Sequence, residues 1–258
     1  MGLMSTPSTS RSDRALVTRR RMVRAAYDLF CERGYLGTTI SDVAGEAGVA
    51  VPTIYYTFGT KAVLLGESLG AAVLGFDRWR EPPTDPDLTE LLPWHHWWAD
   101  FQAAPTSDAA FDIFFSHGVH ILERVAPLVA TLHGAASEPE AAEVIAVSER
   151  RRVQAYRETV RVINGKPGGL HPGLTRAQAT DILVVLFSAE LYQTIRAGRG
   201  WSAKRTSTFL HDLLSAQLLG NGRSQRAATH NEVSVGMPRR AQGSARAVNT
   251  SRGRARSL

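Results

Sequence analysis

Residues 38–61 read TTISDVAGEAGVAVPTIYYTFGTK, two short apolar-periodic segments parted by a glycine. Thr39 stands three residues before Asp42, an arrangement that caps a helix and puts a carboxylate near its positive end. This predicts a two-turn helix from Ile40 to Ala47, broken at Gly48-Val49. A second helix then runs from about Val51 to Phe58, with Pro52 in its first turn, where a missing N–H costs nothing. Ala44, Val49 and Ile54 have the spacing of a small shared core, and Gly59-Thr60 closes the unit. Ala50 cannot cap the second helix, a loss of about 1 kcal/mol relative to Ser or Thr.

Outward from this unit, Leu16, Val23, Tyr27 and Phe30 keep the spacing of one helix face, and Gly34 is a left-handed cap for that first helix. Thr60 caps a fourth helix expected from Lys61 to about Phe76, and the run Glu81-Pro-Pro-Thr-Asp-Pro-Asp87 is a loop. Beyond it the pattern is helical over about 89–102, 109–124, 127–134, 138–163, 176–197 and 203–219. Ser137 with Glu140 and Thr175 with Gln178 read as capping boxes. The fold class is therefore all-α: a small helix-turn-helix domain followed by a larger helical domain. The expected division is 1–15 a disordered basic arm, 16–60 the helix-turn-helix domain, 61–220 the helical body, and 221–258 an arginine-rich disordered tail.

Of the 258 residues 43% are hydrophobic, enough for a sizeable core. The net charge of +6 is uneven. Residues 1–64 hold eight Lys and Arg against five Asp and Glu; 65–219 hold fourteen against eighteen; 220–258 hold eight arginines and only Glu232. A basic head and tail around a mildly acidic body suit a polyanionic partner held at the ends. The first 16 residues lack an apolar run, and no later stretch approaches the roughly 18 uncharged residues of a membrane span, so a cytoplasmic protein without a membrane partner is expected. The single Cys31 excludes an intramolecular disulfide framework.

The stretch resembles the TetR family of transcriptional regulators. The residues that carry the resemblance are Gly34-Tyr35, Thr38-Thr39, Ala47-Gly48-Val49, Thr53-Ile54-Tyr55, Phe58, Lys61, Leu64 and Leu65. The resemblance implies a DNA-binding homodimer, usually a repressor, with a small and often hydrophobic effector bound in the C-terminal domain. A recognition helix enters the major groove with its N-terminal residues at base edges while its flanks hold phosphates. On that geometry Ser41, Val51, Pro52, Thr53 and Tyr56 are assigned to bases, and Thr39, Tyr55, Thr57 and Lys61 to phosphates. One of the adjacent Tyr55 and Tyr56 is expected to be exposed, because neighbours diverge by about 100° around a helix. Arg11, Arg14, Arg19, Arg20 and Arg21 form either a DNA-binding arm or a solvated charge run. Two recognition helices about 34–36 Å apart would read a palindromic duplex.

Residues 76–135 concentrate aromatic side chains. Trp79, Trp94, Trp97, Trp98, Phe101, Phe111, Phe114 and Phe115, with His117 and His120, are candidates for an effector pocket, against the alternative that they are ordinary core. A looser resemblance covers Leu174-Thr175, Ala189-Glu190-Leu191-Tyr192 and Gly200-Trp201-Ser202. It implies a dimer interface on the last two long helices, with Ile182, Val185, Leu186, Leu210, Leu213, Leu214 and Leu218 as contributors. His117 and His120 share a helix face, yet no carboxylate or cysteine is clearly paired with them, and neither metal nor cofactor is expected. No nucleophile elbow, phosphate-cradling loop or dinucleotide fingerprint occurs, so no catalytic residue is assigned.

Overall fold

Met22, Val23, Ala26, Leu29 and Phe30 recur at helical spacing, and α1 (Arg11–Arg33) buries all five against the next three helices. The computed structural model describes residues 11–81 and 87–219, which lie in one compact unit. The expectations for residues 1–10, for the proline-rich run 82–86 and for the tail beyond 219 concern segments outside the described residues. α1 begins five residues before its apolar pattern does; Asp13 in its first turn suits the positive helix end.

The short helices match their expected bounds: α2 spans Ile40–Ala47 and α3 spans Val51–Phe58. Thr39 Oγ1 accepts the Asp42 N–H at 3.1 Å while the Asp42 carboxylate accepts the Thr39 N–H at 2.9 Å, the reciprocal cap read from the sequence. Gly48 closes α2 at φ 62°, a conformation that favours glycine. Ala50 makes no side-chain cap. Hydrogen bonds from Thr39 hold the Asp42 carboxyl below the usual carboxylate range, with Arg33 adding a smaller effect. A depressed pKa means that stabilisation is present above the ordinary value and lost as pH falls through the lowered one. Asp42→Asn is therefore expected to melt earlier than the parent at neutral pH, and the gap to close on acidification. A gap independent of pH in thermal denaturation would remove the carboxylate from the account.

α4 (Lys61–Leu74) starts on the Thr60 cap and stops at Gly75, φ 93°, two residues short of the expected end. It packs on α1 and also on two helices of the body, α7 (Ser107–Val125) and α9 (Pro139–Asn164). The core of the helix-turn-helix domain accordingly includes Leu64, Leu65, Leu69 and Ala72 of α4 and reaches Leu128, Ala135 and Ala141. Arg124 of α7 fastens the end of α4: Nε donates to Ala72 O at 2.6 Å and Nη2 to Val73 O at 3.2 Å. A cation there meets the carbonyls that a helix C-terminus leaves unpaired.

In the body, three sequence expectations are corrected. The helix expected over 89–102 is broken into α5 (Leu88–Leu91), a 3₁₀ turn at Leu92–Trp94 and α6 (Trp98–Ala103), because Pro93 supplies no N–H and interrupts the ladder. Ser137 does not cap α9; its hydroxyl donates to Gly134 O at 3.2 Å. Pro139 takes the first helical position and holds Glu138 extended, so the cap falls one residue later than the Ser137-Glu140 spacing suggests. The third concerns 176–197, which splits into α10 (Arg176–Leu186), α11 (Ala189–Gln193) and a π-helical turn at Thr194–Gly198. Ser188 caps α11 by accepting the Leu191 N–H, competing with helix continuation. The Thr175-Gln178 box at the start of α10 forms as expected. The remaining helices are α8 (Val129–Ala135) and α12 (Ala203–Leu218).

The break at Phe187 is held from α9. Tyr156 donates to Phe187 O at 2.5 Å and Arg152 Nη1 donates to Val184 O at 3.1 Å. The Phe187 ring lies over Gly118, where an added Cβ would stand 2.5 Å from Cε1. Helix propensity favours Gly118→Ala by about 1 kcal/mol. Overpacking opposes it by roughly 1–3 kcal/mol, and a ring walled by Phe114, Phe115 and Tyr156 has nowhere to go. The substitution is expected to lower stability in chemical denaturation, where an ordinary helical Gly→Ala would raise it.

Leu210, Leu214 and Leu218 are not available to a subunit interface. Their i, i+4, i+8 row faces α7 and α10 of the same protomer, and each is 0% exposed. Val185 and Phe209 are the exposed large apolar residues of α10 and α12, with Ile182, Leu186 and Leu213 half-buried beside them. Phe209 was missed because helical periodicity does not distinguish an inner stripe from an outer one.

Candidate nucleic-acid interface and effector cavity

α3 buries Ile54 and Phe58 and turns its opposite face outward. Tyr56 is 93% exposed and Tyr55 is 53% exposed, so both tyrosines face solvent where one was expected to. Pro52 and Ser41 are exposed, and Val51 and Thr53 are half-buried. The five residues assigned to bases therefore all retain accessible surface. Among the residues assigned to phosphates, Thr57 Oγ1 donates to Thr53 O at 2.7 Å and Thr39 is engaged in the α2 cap.

Lys61 has a different role from the one expected. Its ammonium donates to Tyr35 O at 3.0 Å and Thr38 O at 3.2 Å and lies 4.1 Å from the Tyr35 ring centroid. Two of its three N–H groups thus tie the α1–α2 loop to the start of α4, and the ring contributes a cation–π contact. Part of the arginine run is also used internally. Arg19 pairs with Glu67 of α4 and with Glu81, and Arg20 Nε donates to Trp79 O at 2.7 Å; Arg14 and Arg21 are exposed. The Arg19 guanidinium also lies 5.1 Å from the ring centroid of Phe58, the last residue of α3.

A cavity of about 780 Å³ lies between α4, the Leu88–Trp98 segment, α7, α9 and the Phe187 break. Of the expected pocket residues, Trp79, Trp94, Trp97, Trp98 and Phe114 line it. Phe101, Phe111 and Phe115 are core residues that do not. His117 instead stacks on Trp97 from outside the lining, with ring planes 4° apart, and exposed His120 pairs with Glu123 at 2.8 Å. Among the described residues no group of three or more His, Cys, Asp or Glu could hold a metal ion. Tyr156 and Phe187 were absent from the expected lining because they come from helices far along the chain; no local signal marks them.

His95 also lines the cavity. Burial, then repulsion from His96, Arg124 and His117, pushes its pKa down to about 4, so it is neutral near neutral pH. Glu67 and Trp79 line the cavity and both touch Arg19, which reaches Phe58. One guanidinium thus joins the cavity wall to the end of the reading helix. Cys31 is half-buried beside Tyr27, and burial pushes its thiol up to about 11, which makes it a poor nucleophile.

The sequence model of bacterial regulatory proteins of the tetR family matches residues 22–67, the stretch from the middle of α1 into α4. No curated protein sequence matches the chain. Solved structures do. NalD of Pseudomonas aeruginosa, the secondary repressor of the MexAB-OprM efflux pump, is 19% identical at a TM-score of 0.53, covering 82% of this chain and 100% of its own. A transcriptional regulator from Saccharomonospora viridis, solved with choline, is 20% identical at 0.57, covering 79% and 98%. FadR of Bacillus subtilis, solved with stearoyl-CoA, is 16% identical at 0.52, covering 75% and 96%. At these identities the likeness establishes the fold, nearly the whole of each neighbour included. Among the described residues no helix is long and apolar enough to cross a membrane. The family's sequence model is thus seated on a helix-turn-helix whose outer face is open, and the body shares the fold of these neighbours: residues 22–67 are a DNA-binding domain of the bacterial tetR regulatory type.

Proposed function

We propose that the protein is a cytoplasmic repressor that reads a palindromic operator as a homodimer and releases it when a small molecule fills the cavity. The observation that carries this reading is the outer face of α3, which offers a nearly fully exposed Tyr56 beside Pro52 and Thr53 on a helix whose inner face is locked by Ile54 and Phe58. Ser41, Val51, Pro52, Thr53 and Tyr56 would contact bases; Thr39, Tyr55 and Thr57 would contact phosphates. Dimerisation would use the outer surfaces of α10 and α12, where Val185 and Phe209 are exposed. Support for repression and for an effector comes from the neighbours, one a repressor and two solved with small molecules.

Release follows by linkage when a ligand prefers one arrangement of the reading heads. α4 is the natural lever, since it lines the cavity, carries Glu67 and shares the core of the head. The reading is tested by selecting bound duplexes from a random pool. Enrichment of a palindrome with half-sites about one helical turn apart supports a dimeric reader; salt-sensitive binding without an enriched sequence overturns it.

A further inference from the structure

We propose that the cavity takes an uncharged amphiphile, an apolar body with a single hydroxyl or carbonyl group that hydrogen-bonds to His95. The inference rests on the reading of this cavity as the effector site and adds the chemical class of the effector. Its walls are dominated by apolar side chains such as Leu69, Leu92, Trp97, Trp98 and Phe114. Among the described residues, the charged groups on these walls are largely already matched. Glu67 pairs with Arg19, Arg152 with Glu149 at 2.7 Å, and Glu143 with Arg150 at 3.0 Å, while the Arg80 guanidinium lies 4.1 Å from the Trp94 ring centroid. Glu190 and His133 are exposed and Arg151 is half-buried, so water reaches them.

A ligand carboxylate or phosphate would shed its hydration on entry, and the cations outside the matched pairs, Arg80 and Arg151, keep contact with water, which screens what they return. A cationic head would find several of the wall's aromatic rings already engaged, although rings attract cations. Trp94 already carries Arg80, Tyr156 carries Arg152 at 5.4 Å, and Trp97 is stacked on His117. Among the neutral polar side chains on the wall, with Ser148 and Thr159, is His95, which lies among the tryptophans. Its imidazole makes no side-chain hydrogen bond among the described residues and lies 5.4 Å from the Trp97 ring. Held neutral, it presents one N–H and one lone pair. A hydroxyl matches both, and a carbonyl matches the N–H.

The tryptophans on the wall provide the readout. Decanol, decanoate and decyltrimethylammonium share one chain and differ in head group, and each is titrated into the full-length protein at neutral pH while tryptophan fluorescence is followed. Decanol is expected to saturate at one per protomer and to bind at least about tenfold tighter than either charged probe. His95→Phe is expected to weaken decanol about fivefold, the loss of one neutral hydrogen bond. Naphthalene, which has no hydrogen-bonding group, should bind the variant as it binds the parent and thereby report an intact cavity. Charged probes binding as well as decanol, decanol failing to saturate, or His95→Phe keeping full decanol affinity would each overturn the proposal. Decanol binding as expected while operator affinity stays unchanged supports the pocket chemistry and overturns the effector reading instead.

Discussion

Arg19→Leu is expected to lower the free energy of unfolding by about 3 kcal/mol, because it strands the Glu67 carboxylate in a site only 9% exposed. Burial already outweighs Arg19 in setting Glu67, whose pKa is raised. Without the guanidinium it rises further. A folded-state pKa above the unfolded one means stability that is greatest at low pH and lost as pH rises through the folded value. The deficit of Arg19→Leu should therefore be largest at neutral pH and shrink toward acid. The double variant Arg19→Leu/Glu67→Leu should recover most of it, since apolar residues can replace a buried pair at little cost. Denaturant titrations of the three proteins at two pH values check this. A single variant within about 0.5 kcal/mol of the parent would make the pair an ordinary solvent-screened one. The same variants probe coupling: if Arg19 carries the signal from the cavity to Phe58, the double variant folds and binds its operator but no longer releases it with ligand.

Tyr56→Ala is expected to weaken binding to the selected operator by about 10–100-fold, the range of one lost base-directed contact. Unfolding should change by less than about 0.5 kcal/mol, because the side chain is 93% exposed and touches little of its own protomer. Affinity for unrelated duplex should stay nearly constant, since it depends on phosphate contacts. Ile54→Ala gives the contrast. At 1% exposure it should cost about 2–5 kcal/mol and abolish all binding by unfolding the head. Equal operator affinity for Tyr56→Ala and the parent would exclude Tyr56 as a reader.

The helix-turn-helix was legible because its punctuation is local. Thr39 with Asp42, Gly48, Pro52, Gly59 and Thr60 each act on backbone groups within four residues, so their effect is carried by adjacent side chains whatever packs around them. Where two local signals competed, reading failed. Ser137-x-x-Glu140 matched a capping box, and Pro139 inside it moved the cap. Ser188 looked like an interior residue of a long helix until Tyr156 and Arg152, from another helix, were seen to hold the carbonyls at the break.

The arrangement of side chains at the sites divides the same way. Sequence alone was enough to establish an all-helical chain and its helix-turn-helix, because period and caps are properties of a single segment, but the divergence of neighbouring residues predicted one exposed ring of Tyr55 and Tyr56 where both face solvent. Packing settled which aromatics face a void. Phe114 lines the cavity and Phe115 does not; Lys61 is spent on two carbonyls; Leu210, Leu214 and Leu218 point into their own protomer. The physical reason is that a cavity, a staple and an inner stripe are relations between helices distant in the chain. Periodicity gives each helix an apolar face but leaves open which neighbour will cover it.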